Sequence, residues 1–196
     1  MDILYSDHGI VVCVKPVGLD SEQEFPSALI EQLGGEIFPI HRLDKNVGGV
    51  MVYARTKQTA AALSKAVQEG TMVKEYVAMV HGTPPETGDW EDLLWKDSKK
   101  NKVFVVKRQR GGVKKARLEF IRLIAGETSL VRIRLHTGRS HQIRVQFSSR
   151  GFQLVGDHKY GSRDEKTAPM LFSCCITFPY RGEIRRFEAL PEWSVI

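Results

Sequence analysis

The feature that most constrains this chain is a carboxylate set between a basic dyad and two glycines: His41-Arg42-Leu43-Asp44-Lys45-Asn46-Val47-Gly48-Gly49, followed by the apolar run Val50-Met51-Val52-Tyr53-Ala54. The β-branched run reads as a strand. A charge is costly to bury without partners, so Asp44 suits a site better than a core. The glycines let the backbone turn sharply or approach a ligand, and functional groups concentrate on loops held by rigid elements. Asp44 is therefore the residue that the remaining chain has to position.

A chain of 196 residues that is 42% hydrophobic can bury one well-formed core, so a single domain over 1–196 is expected. No apolar stretch approaches the roughly 18 residues of a membrane span. The start, Met1-Asp2-Ile3-Leu4-Tyr5, lacks the basic region of a secretory signal. These features lead to the expectation of a cytoplasmic protein, and the lack of a coiled-coil pattern to that of a monomer. Cys13 and the adjacent Cys174-Cys175 are odd in number and badly spaced for disulfides or a zinc clip. Buried free thiols are the better reading. The formal charge is +6, but ten basic residues against one acid, Asp97, fall between Lys96 and Arg117, which leaves the remainder at −3. Val103-Phe104-Val105-Val106 interrupts that run and Gly111-Gly112 lies inside it, as in a basic strand and loop able to follow a polyanion. The same run is also compatible with a merely solvated face.

Along the chain, Ile10 to Val14 reads as a strand closed by Lys15-Pro16-Val17-Gly18. Ser27 caps a short helix ending at Gly34-Gly35, and Thr56 caps a second, Lys57 to Glu69, stopped by Gly70. Glu75 to Val80 is strand-like. Two runs, Arg117 to Ile124 and Ser129 to Leu135, form a β-hairpin, and alternation puts Arg132 and Arg134 on the face away from the core. A helix over Ser140 to Arg150, a buried strand Leu171 to Phe178 and an edge strand Ile184 to Phe187 follow. Many strands, few helices and hairpin connections predict an α+β fold with a mixed, mainly antiparallel sheet.

The second polar concentration is Leu135-His136-Thr137-Gly138-Arg139-Ser140-His141-Gln142-Ile143-Arg144. Arginine forks match both carboxylate and phosphate, so one of them can pair with Asp44 while others hold the backbone of a nucleic acid. Spacing alone gives a plainer reading, with Arg139 bracing the helix start and Arg144 on its wet face. Tyr76 is either rim packing or a wall on which a base stacks. A kinase reading of His-Arg-Leu-Asp fails, because the Asp is not directly after His-Arg and no Asp-Phe-Gly or phosphate loop is present. His136 and His141, five apart and without a carboxylate partner, make a poor metal pair.

His-Arg-Leu-Asp at 41–44 with glycine and a strand behind it, Lys-Glu-Tyr at 74–76 leading to Val80-His81-Gly82, and Thr-Gly-Arg-Ser-His-Gln-Ile-Arg at 137–144 with Gly156-Asp157 and Tyr160-Gly161 behind, together resemble the RluA family of pseudouridine synthases. Lys15-Pro16 and Gly18 are similar to that family's opening motif. The resemblance implies the family's fold with a central cleft, and conversion of uridine in structured RNA, ribosomal or transfer, to pseudouridine without a cofactor or metal. It also implies a single catalytic domain lacking the N-terminal RNA-binding module of many relatives. By motif position Asp44 is the catalytic aspartate and Tyr76 the tyrosine that stacks on the target base. Arg144 is the basic partner of the aspartate, Arg42 fills the gap left by the flipped base, and Leu171 lines the pocket. Arg139 and His41 complete the implied substrate-binding set. The chain departs from the family at Asn46-Val47-Gly48-Gly49, where hydroxyl residues are common, and at Val145-Gln146 and Phe172, where histidines are frequent.

Overall fold

A strand buried on both faces needs a residue that tolerates burial at every position, and Gly48–Ala54 meets that demand along all seven of its residues. In the computed structural model, which describes residues 2–194, the elements in chain order are β1 (Asp2–Ser6), β2 (Ile10–Lys15), α1 (Glu24–Leu33), β3 (Phe38–Pro39), β4 (Gly48–Ala54), α2 (Lys57–Gln68), β5 (Val73–His81), β6 (Thr87–Asp97), β7 (Lys102–Val106), β8 (Val113–Ile124), β9 (Thr128–Leu135), α3 (Gln142–Ser148), β10 (Leu171–Tyr180) and β11 (Glu183–Glu188). They form two compact units, Met1–Glu75 with Phe172–Ile196, and Tyr76–Leu171.

In the first unit β4 is central. It pairs antiparallel with β2 from Ile10↔Ala54 to Lys15↔Gly49, and parallel with β10 at Phe172↔Gly48 and Ser173↔Gly49. Val50, Val52 and Ala54 join Leu63 and Ala66 of α2 and Ile176 and Phe178 of β10 in one core. On the opposite face Tyr53 meets Phe25 of α1 at 6.0 Å between ring centroids. The continuous apolar run is thus explained by a helix on each side of the strand. Helix α2 begins as the sequence predicts, with the Thr56 hydroxyl accepting the Thr59 N–H at 3.2 Å. Helix α1 begins three residues before Ser27. The Asp20 carboxylate accepts the N–H groups of Glu22 and Gln23 at 2.8 and 2.9 Å, and Pro26 sits in the first turn, where its missing N–H costs nothing.

The second unit orders its strands β5-β9-β8-β6-β7. The expected β8–β9 hairpin is present, and Arg134 and Arg132 stand opposite Glu119 and Ile121 on the outer face. Strand β6, eleven residues long, is absent from the sequence-based expectation. Its acids at 89 and 91 fill an outer face while Trp90 points inward, within 4.5 Å of Phe120 and 4.7 Å of Phe147 by ring centroids. Helix α3 is shorter than Ser140 to Arg150, because His141 is left-handed at φ 52° and cannot belong to a right-handed helix. The expected free thiols are confirmed: Cys13, Cys174 and Cys175 are all buried and reduced.

Candidate active site

Asp44 is half-buried on the loop before β4, and the backbone around it is tied on both sides. Buried Ser21 clamps Leu43, its hydroxyl accepting the Leu43 N–H at 3.1 Å and donating to the Leu43 carbonyl at 2.9 Å. After Asp44, the Val47 N–H donates to the Asp44 carbonyl at 2.9 Å, and the Gly18 N–H to the Lys45 carbonyl at 2.8 Å. Gly49, at φ 131°, lies so close to Ser173 that a Cβ would stand 2.4 Å from its backbone. That close crossing is the reason a glycine is required there.

Beneath the loop lies a residue that sequence reasoning did not place in the site. Lys15 is fully buried, and its ammonium donates to the carbonyls of Pro16 and Leu19 at 2.8 Å each and of Lys45 at 3.4 Å. Burial pushes its pKa down to about 8, while Asp20, Asp44 and Glu24 favour the charged form. A lysine closing a strand ordinarily reads as a solvated end, and only the resemblance of Lys15-Pro16 to a motif signalled otherwise.

His41 faces inward. Its Nε2 accepts the Val52 N–H at 3.3 Å, and burial together with the nearby Lys74 charge lowers its pKa to about 3, so the ring is neutral. It braces β4. Arg42 by contrast is exposed, with Glu22 at 3.6 Å.

In the second unit the reading of Arg144 as a wet-face residue is corrected. Arg144 is 6% exposed, and its Nε and Nη2 donate to the two carboxylate oxygens of Asp157 at 2.7 Å each. The guanidinium lies 5.1 Å from the centroid of the Tyr160 ring. Asp157 follows Gly156, whose φ of 81° and contact with the Ala168 carbonyl exclude a side chain. The loop carrying Asp157 is clasped by Asp164, whose carboxylate accepts the N–H groups of Gly156 at 2.8 Å and Lys166 at 2.9 Å. Ser162 and His81 also bond to it, and these bonds outweigh desolvation and hold its pKa far below the usual carboxylate range. The turn before α3 is organised by Gln142, which accepts from Thr137 at 2.8 Å and the Arg139 N–H at 3.0 Å and donates to the Arg117 carbonyl at 3.0 Å. Arg139 is exposed, and its Nε donates to the Lys115 carbonyl of β8 at 2.9 Å, so its side chain ties the turn to the sheet rather than bracing the helix start. Tyr76 and Leu171 are 5% and 6% exposed and are the first and last residues of this unit.

The structure thus sets Asp44 near the Lys15 ammonium in the first unit, with Arg42 turned to Glu22 and His41 buried against β4, and joins Arg144 with Asp157 and Tyr160 in the second. Among the described residues no helix is long and apolar enough to cross a membrane, and no group of three His, Cys, Asp or Glu could hold a metal ion.

A mainly antiparallel sheet carrying a pinned loop carboxylate, an anchored arginine and a strongly basic segment suits the class of proteins that act on a polyanion such as RNA. Residues 9–149 match the family described as RNA pseudouridylate synthase, and the chain belongs to that family. It is 32% identical over 203 residues to the dual-specificity RNA pseudouridine synthase RluA of Escherichia coli K12, covering 95% of this chain and 91% of that one. To an uncharacterized RNA pseudouridine synthase of Chloroflexus aurantiacus it is 38% identical over 135 residues, which are 67% of this chain and 42% of that relative's length. Human RNA Pseudouridylate Synthase Domain Containing 1 shares the fold, with a TM-score of 0.86, 21% identity and coverage of 97% and 83% of the two chains. The protein is an RNA pseudouridine synthase, which isomerises uridine in RNA.

Proposed function

We propose that Asp44 is the catalytic carboxylate and that the targets are particular uridines in structured ribosomal or transfer RNA. The observation that carries this reading is the half-buried Asp44 on a backbone pinned at Leu43, Lys45 and Val47, above the buried Lys15 ammonium. A catalytic group is effective when its position is fixed before the substrate arrives. Isomerisation breaks the bond between uracil N1 and the sugar and makes one from C5. A group must therefore act as nucleophile or charge stabiliser at the sugar or base while the detached ring turns. A stacked uridine is out of reach, so the base is everted at a cost of a few kcal/mol. Tyr76 stacks on it, since an unperturbed phenol pKa of about 10 makes a poor base at neutral pH. Leu171 closes the apolar side of the pocket, Arg144 fixes the charge of the site, and exposed Arg42 and Arg139 engage the RNA. His41 supports the loop from below.

The name of the Escherichia coli relative, which declares dual specificity, supports a reading in which more than one RNA is a target. Three free thiols support a reducing, cytoplasmic setting, and we infer a monomer, which size-exclusion chromatography tests. The deciding experiment maps pseudouridines in total RNA from cells with and without the gene, complemented by wild type or Asp44→Ala. A site that vanishes with the gene and returns only with wild type is expected. Its return with Asp44→Ala overturns the assignment.

A further inference from the structure

The basic run from Lys96 to Arg117 does not form a uniform surface. At one end its charge is matched: Arg117 donates to the two oxygens of Asp89 at 2.9 and 2.8 Å and to Glu119 at 2.9 Å, and Lys115 lies 3.6 Å from Glu91. At the other end the acids stop, and the residues from Ser98 to Lys114 include seven lysines and arginines and no carboxylate.

At that end the register sets Trp95 opposite Phe104 on one side and Val113 on the other. The core of this sheet uses the alternate positions, Leu94 and Val103, so both rings lie on the outer face. Their centroids are 6.2 Å apart with planes 31° from parallel, and both are half-buried. The exposed Arg110 guanidinium lies 5.0 Å from the Trp95 centroid and the Lys102 ammonium 5.8 Å from that of Phe104. Strand β7 ends the sheet order. The Val103 N–H on its open side donates to the Tyr160 hydroxyl at 2.9 Å, and Lys102 lies 5.3 Å from the Tyr160 ring centroid. The same Tyr160 ring carries Arg144. An unbroken series of contacts therefore runs from Arg144 through Tyr160 and Lys102 to Phe104, Trp95 and Arg110.

We propose that Trp95 and Phe104, with Lys102 and Arg110, form a second RNA-binding platform that takes one or two unpaired bases of the substrate strand beyond the target uridine. Aromatic faces bind bases of any identity, and flanking cations follow the phosphates. Arg110, exposed and next to Gly111-Gly112, can leave the Trp95 face or stack on the outer side of a bound base. A purely structural role, in which the rings only cover the end of the sheet, would need no surrounding field of unmatched cations. The direction of the strand rests on the reading of Arg144 given above, whereas the binding itself does not.

The test measures binding of the full chain to a fluorescein-labelled oligouridine of about ten nucleotides and to unfractionated transfer RNA. Trp95→Ala and Phe104→Ala are expected to raise Kd about tenfold, and Arg110→Gln to lower the salt slope by about one. Trp95→Phe, which keeps an aromatic face, should stay within about twofold of wild type. An unchanged Kd and salt slope in folded Trp95→Ala and Arg110→Gln overturns the platform, as does an equal loss in Trp95→Phe. Should Trp95→Ala fail to fold, Arg110→Gln and Lys102→Gln decide, since both alter exposed or half-exposed cations. Asp44→Asn separates the two proposals. Full conversion by Asp44→Asn defeats the catalytic assignment and leaves the platform standing, and normal binding by the platform variants does the reverse.

Discussion

The loop carrying Asp44 and the helix carrying Arg144 are fixed by different forces. Around Asp44 the ties are to backbone groups: a serine hydroxyl on Leu43, a lysine ammonium on three carbonyls, and a neutral histidine on the Val52 N–H. Around Arg144 the tie is a two-pronged ion pair buried almost completely, at 7% and 1% side-chain exposure. A loop held by its backbone fixes where its carboxylate stands without enlisting that side chain in the loop's own hydrogen bonds to Leu43, Lys45 and Val47. A helix held through its arginine commits that side chain to one orientation, since a guanidinium with two of its N–H groups taken cannot turn.

The largest effect that would sharpen this contrast is in the second unit. Asp157→Ala removes the carboxylate from a buried charge, and the expected loss is about 3–5 kcal/mol of unfolding free energy by urea titration. A loss below about 1 kcal/mol would place the anchoring of Arg144 elsewhere. The first unit has its own signature, which is pH. His41 has a folded pKa of about 3 against an ordinary 6.5, so below pH 6.5 the unfolded chain takes up a proton that the folded chain refuses. Its contribution is intact above pH 6.5 and falls as the pH drops, by about 3 kcal/mol at pH 4. His41→Gln keeps an acceptor for the Val52 N–H and should flatten that slope. A slope equal to wild type would mean that the ring is not held neutral. The smallest effect is a control: Arg117 grips Asp89 with the same fork, but the two side chains are 42% and 53% exposed. Arg117→Ala should leave the urea midpoint unmoved, and a shift as large as that of Asp157→Ala would erase the distinction between buried and surface forks.

Much of the frame is legible in the chain because the signals are local. Thr56 and Gly70 bracket α2, the apolar run marks β4, and alternation in Leu130–Leu135 puts Arg132 and Arg134 outside. The candidate site is legible as motifs, since Asp44, Tyr76 and Arg144 stand in recognisable strings. What eluded it was long-range. Strand β6 hides behind the acids at 89, 91 and 92, which look like a loop until β8 supplies a partner for each. Arg144 looks solvated until Gly156 turns the chain to bring Asp157 back thirteen residues later.

The sequence by itself determined the family, the elements with strong local punctuation and the chemical types available for catalysis. Only the tertiary structure decided which charges are buried and what answers them: Lys15 under the loop, Asp157 on Arg144, and Asp164 clasping the segment between. The physical reason is that helix caps and strand alternation are set by neighbours a few residues away, whereas burying a charge depends on partners that only folding brings within about 3 Å.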